Sequence, residues 1–247
     1  MHFKKSQTTD INMPFNDSSI IRQEFYDGLK KALPIGIGFI PIAMSFGVLA
    51  AQSNISFIDS ILMSSMVFAG SSQFMAVNML TIGAHSFEII FATFVLNFRH
   101  FIMSISMMNK LKHLPLYQKA LISLGITDEA FALIVMDKES DNKKISVHYI
   151  AGIIILSYIS WVFGTILGGL LSMFIPASLG DSMAIGIYAM FISLLLPSIK
   201  SNYKVGIVSG ISGGLCYLFN IFFSSGWAIV MATIIGGLLG SFILKED

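Results

Sequence analysis

Arg99 is the residue in this chain best placed to do chemistry. Of the 15 Lys and Arg residues, it alone falls inside a long apolar stretch, Phe87 to Met108. Rising about 1.5 Å per residue, that stretch makes a helix roughly 33 Å long, enough to cross a bilayer and to put Arg99 near mid-depth. A charge there needs a partner or a task. A guanidinium offers a planar donor fork for an anion, and His100 and Asn97 lie beside it in sequence. Two other apolar stretches carry polar groups at mid-length: Gly70, Ser71, Ser72 and Gln73 in one, Thr127, Asp128 and Glu129 in the other. A helix that restarts at depth presents unpaired backbone N–H groups to an anion, while adjacent carboxyls can take a cation or a proton.

The elements that must position these groups are membrane helices. The chain has 247 residues, 55% hydrophobic and 12% charged, with a mean hydropathy of +0.78. It reads as an all-α polytopic membrane protein. Long apolar segments run from Pro34 to Gln52, Ser60 to Thr81, Phe87 to Met108, His148 to Phe174, Ser182 to Ser198, Val205 to Ser224 and Trp227 to Leu244, with a weaker one from Leu121 to Met136. Residues 1–32 read as a polar cytoplasmic tail and 33–247 as one transmembrane domain. The lone Cys216 makes no internal disulfide or metal-ligand pattern, and no cofactor is implied. Dispersed charge gives no basic face for nucleic acid.

Positive charge decides between two topologies. Lys and Arg are absent from the connections after Gln52, Thr81, Phe174 and Ser224, and gather at Lys110, Lys112, Lys119, Lys138, Lys143, Lys144, Lys200, Lys204 and Lys245. All of these are cytoplasmic, with both termini, if Ser60 to Thr81 and Leu121 to Met136 are re-entrant and six segments cross fully. Eight crossings are the alternative, and they expose Lys110, Lys112 and Lys119 outside. Ala69-Gly70-Ser71-Ser72, with its serines as N-caps, and Gly125-Ile126-Thr127-Asp128-Glu129, capped by Thr127, are the expected breaks. Broken helices meeting at mid-depth are the architecture of many secondary transporters. Glycines four apart at Gly164 and Gly168, at Gly206, Gly210 and Gly214, and at Gly236 and Gly240 suggest close helix packing.

Leu33-Pro34, Phe68-Ala69-Gly70-Ser71-Ser72-Gln73-Phe74, Asn97-Phe98-Arg99-His100, Thr127-Asp128-Glu129-Ala130-Phe131-Ala132, Trp161-Val162-Phe163-Gly164-Thr165 and Ala189-Met190-Phe191 occur in an order that resembles the AzlC/YgaZ family. These are large subunits of branched-chain amino acid exporters, and the resemblance spans roughly residues 28 to 200. At Phe98 the family pattern usually has Leu. The resemblance implies a permease in the bacterial inner membrane that exports valine, leucine, isoleucine and in some members methionine. It also implies a small AzlD-like membrane subunit as partner. The chain has no Gly-x4-Gly-Lys-Ser/Thr loop for ATP, so the energy is expected from a proton gradient.

An aliphatic amino acid crosses as a zwitterion. Arg99 would clamp the carboxylate, with help from backbone N–H groups at Gly70, Ser71 and Ser72. Asp128 or Glu129 would hold the ammonium or the coupling proton, and Gln73 and Asn97 would join the polar network. Each role has a structural counterpart. Arg99 is equally an ion-pair partner for Asp128 or Glu129, the two acids are equally first-turn residues that favour the helix dipole, and His100 is either a proton relay or a hydrogen-bonding neighbour. A channel, or a permease for another small zwitterionic or apolar solute, is the rival function. An intramembrane hydrolase lacks any supporting motif, and no enzyme activity is expected.

Overall fold

The computed structural model describes residues 17–108, 110–136, 145–174, 192, 195–196, 198–223 and 225–244, and every regular element among them is a helix. The first, α1 (Asp17–Gln52), has 36 residues. Residues 17–32, read as part of a polar tail, are its first turns, and the helix continues through Pro34 and Pro41 instead of starting at Pro34. Ser60 to Thr81 is divided into α2 (Phe57–Met66) and α3 (Gly70–Thr81). The continuous α4 (Ser86–Met108) carries Arg99. A second divided element follows as α5 (Leu116–Gly125) and α6 (Asp128–Met136). The described chain is completed by α7 (Val147–Leu171), α8 (Tyr203–Phe222) and α9 (Ser225–Ile243). Five of these helices, α1, α4, α7, α8 and α9, are long and apolar enough to cross a membrane. The segment Ser182 to Ser198 and the Ala189-Met190-Phe191 motif lie largely outside the described residues.

Packing centres on α1 and α7, which run parallel. Gly28 abuts the Tyr149 carbonyl, Gly36 the Ser160 side chain and Gly168 the Met44 backbone, so the backbones approach as closely as side-chain-free positions allow. Gly164 meets Ala43 in the same seam. In the antiparallel pair α8 and α9, Gly236 and Gly240 face Ser212 and Val208, whereas Gly210 and Gly214 meet nothing within 4 Å.

Each divided element turns back to the side on which it began. Thr81, at the end of α3, donates its hydroxyl to Ser53 at 3.2 Å, just past the end of α1. At the opposite side, Lys110 Nζ donates to the Val135 carbonyl at 3.1 Å near the end of α6, and a His113 ring nitrogen lies 2.9 Å from the Ile145 carbonyl before α7. The two elements are thus helical hairpins entering from opposite sides. In consequence Lys30, Lys31, Lys110, Lys112, Lys119 and Lys204 share one end of the bundle, and Asp59 and Glu88 lie at the other.

Candidate functional site

The tips of the two hairpins meet at Arg99. At the first tip the chain leaves α2, passes Phe68 with φ of 44°, and restarts at Gly70. A bulky residue in the left-handed region stores strain of about 1–3 kcal/mol and persists only where its surroundings hold it. Here the Phe68 ring stacks edge-on against Tyr158 at 5.1 Å, and the Tyr158 hydroxyl donates to the Ser65 carbonyl at 2.9 Å in the last turn of α2. The expected serine caps are not the device that starts α3. Its N-cap is Ala69, with no side-chain cap bond; Ser71 and Ser72 lie inside the first turn, where their hydroxyls meet Arg99 and Asn97. Gly70 is required for proximity: a Cβ there would lie 2.5 Å from Trp161 Cη2. At the second tip, Thr127 Oγ1 accepts the Ala130 N–H at 3.3 Å, and Asp128 and Glu129 occupy the first turn of α6.

Arg99 bridges the tips. One terminal nitrogen donates to Asp128 Oδ2 at 2.7 Å and the other to Ser71 Oγ at 2.5 Å. Asp128, not Glu129, therefore makes the close ion pair. The guanidinium has five donors, and its Nε–H is buried with no partner. His100 Nδ1 lies 2.9 Å from the Ile126 carbonyl. Since a carbonyl only accepts, this nitrogen carries the proton, while the buried Nε2 has no partner.

These groups border a small, partly open pocket of about 30 Å³. Gly70, Ser71, Arg99, His100, Asp128 and Glu129 line it, together with Phe39, Phe68, Thr127 and Trp161. Two half-helix N-termini, α3 and α6, begin at its wall, and such ends favour anionic groups. The other three candidates stand behind the wall. Ser72 shares its hydroxyl between the Ala69 carbonyl and Asn97 Oδ1, each at 2.9 Å. Gln73 is 1% exposed. Its Nε2 donates to Ser64 Oγ at 2.9 Å and its Oε1 accepts from Trp161 Nε1 at 3.0 Å. Ser64 is 2.7 Å from Thr165 Oγ1, whose hydroxyl also reaches the Trp161 carbonyl at 3.0 Å.

This buried chain ties both halves of the first hairpin to α7. Sequence reasoning placed Gln73 in a polar network but missed Ser64, which carries no signal beyond being a hydroxyl in an apolar run, and gave no role to Thr165, although it closes the Trp161-Val162-Phe163-Gly164-Thr165 motif. Phe39 was missed as well. It meets Trp161 edge-on at 5.4 Å and closes the pocket from α1.

Known proteins with similar sequences include named membrane proteins. A model of the AzlC protein family matches residues 34–175. The chain is 31% identical over 199 residues to an Escherichia coli K12 protein named inner membrane protein YgaZ, covering 77% of this chain and 80% of that one. It is 33% identical to an uncharacterised membrane protein of Archaeoglobus fulgidus, over 87% of this chain and 93% of the other. A Bacillus subtilis protein named branched-chain amino acid transport protein AzlC is 28% identical over 67% of this chain and 64% of its own length. No solved structure gives a significant match. The matched region takes in both hairpins, Arg99 and Trp161, and this membrane protein belongs to the AzlC family.

Proposed function

We propose that the chain is the large permease subunit of a secondary exporter of branched-chain amino acids, accepting valine, leucine, isoleucine and methionine. The observation that carries this reading is the Arg99–Asp128 pair, held between two opposed half-helix N-termini. A zwitterion and an ion pair are electrostatically complementary. Inserted between them, the substrate carboxylate takes the guanidinium and the N–H groups at the start of α3, while its ammonium takes Asp128. Neither protein charge is then left unpaired at depth, which keeps the exchange inexpensive. The partnerless Arg99 Nε–H supplies a donor that the resting pair leaves unused.

The name of the Bacillus subtilis relative supports the substrate class. Hairpins that enter from opposite sides support alternating access, since the two tips can separate towards either face. We assign the coupling proton to the adjacent carboxyls Asp128 and Glu129: protonation removes the ammonium's counter-charge and releases the substrate. The lysine-rich end of the bundle is assigned to the cytoplasm of a bacterial inner membrane, with both termini there. A small AzlD-like membrane subunit completes the transporter. The test is efflux from vesicles containing both subunits, loaded with defined amino acids under an imposed pH gradient. Efflux of the four aliphatic substrates that accelerates with the gradient is expected. Vesicles that retain all four would sink the proposal.

A further inference from the structure

The turn from α4 into α5 carries a charge pattern that neither the fold nor the transport reading uses. Residues 109–126 include Lys110, Lys112 and Lys119 and no acid. Lys110 is committed to the Val135 carbonyl. Lys119, one turn into α5, instead lines an open groove of about 410 Å³ between α4 and α5. The rest of its wall is largely apolar, and Phe101, Ile105, Met108 and Leu116 are between 48% and 76% exposed there. On α5 the lining positions Leu116, Lys119, Ala120, Ser123 and Ile126 follow helical spacing along one face, and Ile122 is the one buried residue of that helix. The groove therefore starts at the lysine-rich end of the bundle. It stops at the second hairpin tip, where the Ile126 carbonyl accepts from His100 and separates it from the polar pocket.

We infer that this groove binds an anionic phospholipid of the leaflet at the lysine-rich end, with one acyl chain lying along it and the headgroup at Lys119. Dimensions choose the occupant. From Leu116 to Ile126 the groove descends about 15 Å, half the hydrocarbon thickness of a bilayer, so it spans one leaflet. Its mean cross-section is then about 27 Å². That suits a single hydrocarbon chain and is far below the roughly 80 Å² of a helix about 10 Å across. At roughly 30 Å³ a carbon, taking water's share as the yardstick, the volume holds about fourteen carbons. Charge sets the head. A lysine one turn inside a membrane helix lays its stem on apolar surface and carries its ammonium to the headgroup layer, where basic positions between helices recognise anionic lipid. No carboxylate on the turn or on α5 competes for Lys119. The site is independent of which solute the Arg99 pocket carries.

The test is lipid retention by the full chain in detergent micelles, read by native mass spectrometry, with phosphatidylglycerol and phosphatidylcholine of matched chains as probes. Phosphatidylglycerol should bind about fivefold tighter, the share of one lysine at an anionic surface. Lys119→Gln should abolish that preference, whereas Lys204→Gln, at the same end of the bundle but on α8, should keep it. Ala120→Phe fills the groove from an exposed position and should weaken both lipids about tenfold, the equivalent of some two displaced methylenes. Glycerol phosphate alone should not compete at the lipid's concentration. Equal retention of the two lipids by the parent, or equal loss of preference in the Lys119 and Lys204 variants, would overturn the site and leave ordinary annular lipid. Competition by glycerol phosphate as effective as intact lipid would also overturn it, as would a dimer of this chain that Ala120→Phe dissolves, since the occupant would then be a free anion or a second copy. The two lysine variants keep the test decisive even where Ala120→Phe fails to fold.

Discussion

The Arg99–Asp128 pair can be separated into what it does for the fold and what it does for substrate by neutralising each member and then both. The atoms are 2.7 Å apart and the side chains 29% and 28% exposed. Removing one partner of a fully buried pair costs about 3–5 kcal/mol, because the survivor is an uncompensated charge. With nearly a third of each side chain accessible, about 2 kcal/mol is the expected loss for Arg99→Gln or Asp128→Asn. Arg99→Gln also weakens the contact to Ser71 and falls on the larger side. In the double variant no charge is stranded, so stability should return to within about 1 kcal/mol of the parent, a coupling of about 3–4 kcal/mol.

Unfolding in mixed micelles, followed by the fluorescence of the chain's two tryptophans, reads this directly, since Trp161 is buried beside the site. Efflux from vesicles reads the other half. If the guanidinium holds the carboxylate, the stable double variant stays inactive, and Arg99→Lys is impaired although it keeps the charge. A double variant that both folds and transports normally would refute the clamp. Single variants as stable as the parent would refute the bridge between hairpin tips.

Three further outcomes follow from the surrounding packing. Gln73→Leu leaves the buried Trp161 N–H without an acceptor and should lower stability by about 1–3 kcal/mol; adding Trp161→Phe should recover part of it, which the same unfolding assay checks. Gly70→Ala places a methyl against the Trp161 ring, so it should cost about 1–3 kcal/mol and slow efflux, with blue-shifted or quenched tryptophan emission as a sign of the displaced indole. With Cys216 replaced, a single cysteine in place of Lys112 should resist an impermeant thiol reagent applied outside intact cells, and labelling there would contradict the assignment of the lysine-rich end to the cytoplasm.

Much of the architecture was legible because membranes impose it locally. Apolar runs of about twenty residues must be helical, since lipid offers backbone groups no other partners. The two weak points in those runs could be seen as breaks from Gly, Ser, Thr and Asp alone. Thr127 caps α6 as its position suggests, because a cap needs only its own next few residues. The first break illustrates the limit. Gly70 and the two serines drew attention, but the left-handed residue is Phe68, held there by Tyr158 ninety positions away in the chain.

By itself, then, the sequence determined a helical membrane protein with two interrupted elements and a charged residue at mid-depth. It also supplied a list of polar residues with the right chemistry for a zwitterion. Tertiary structure alone decided that Asp128 faces Arg99 and that Gln73 serves Trp161 rather than the pocket. The physical reason is range. Hydropathy and capping act over a turn or two of helix, whereas Ser71 meets Arg99 across 28 positions and Gln73 meets Trp161 across 88. Such pairings are settled by which helices pack together, and at the α1–α7 seam that depends on glycines whose spacing says that something comes close without saying what.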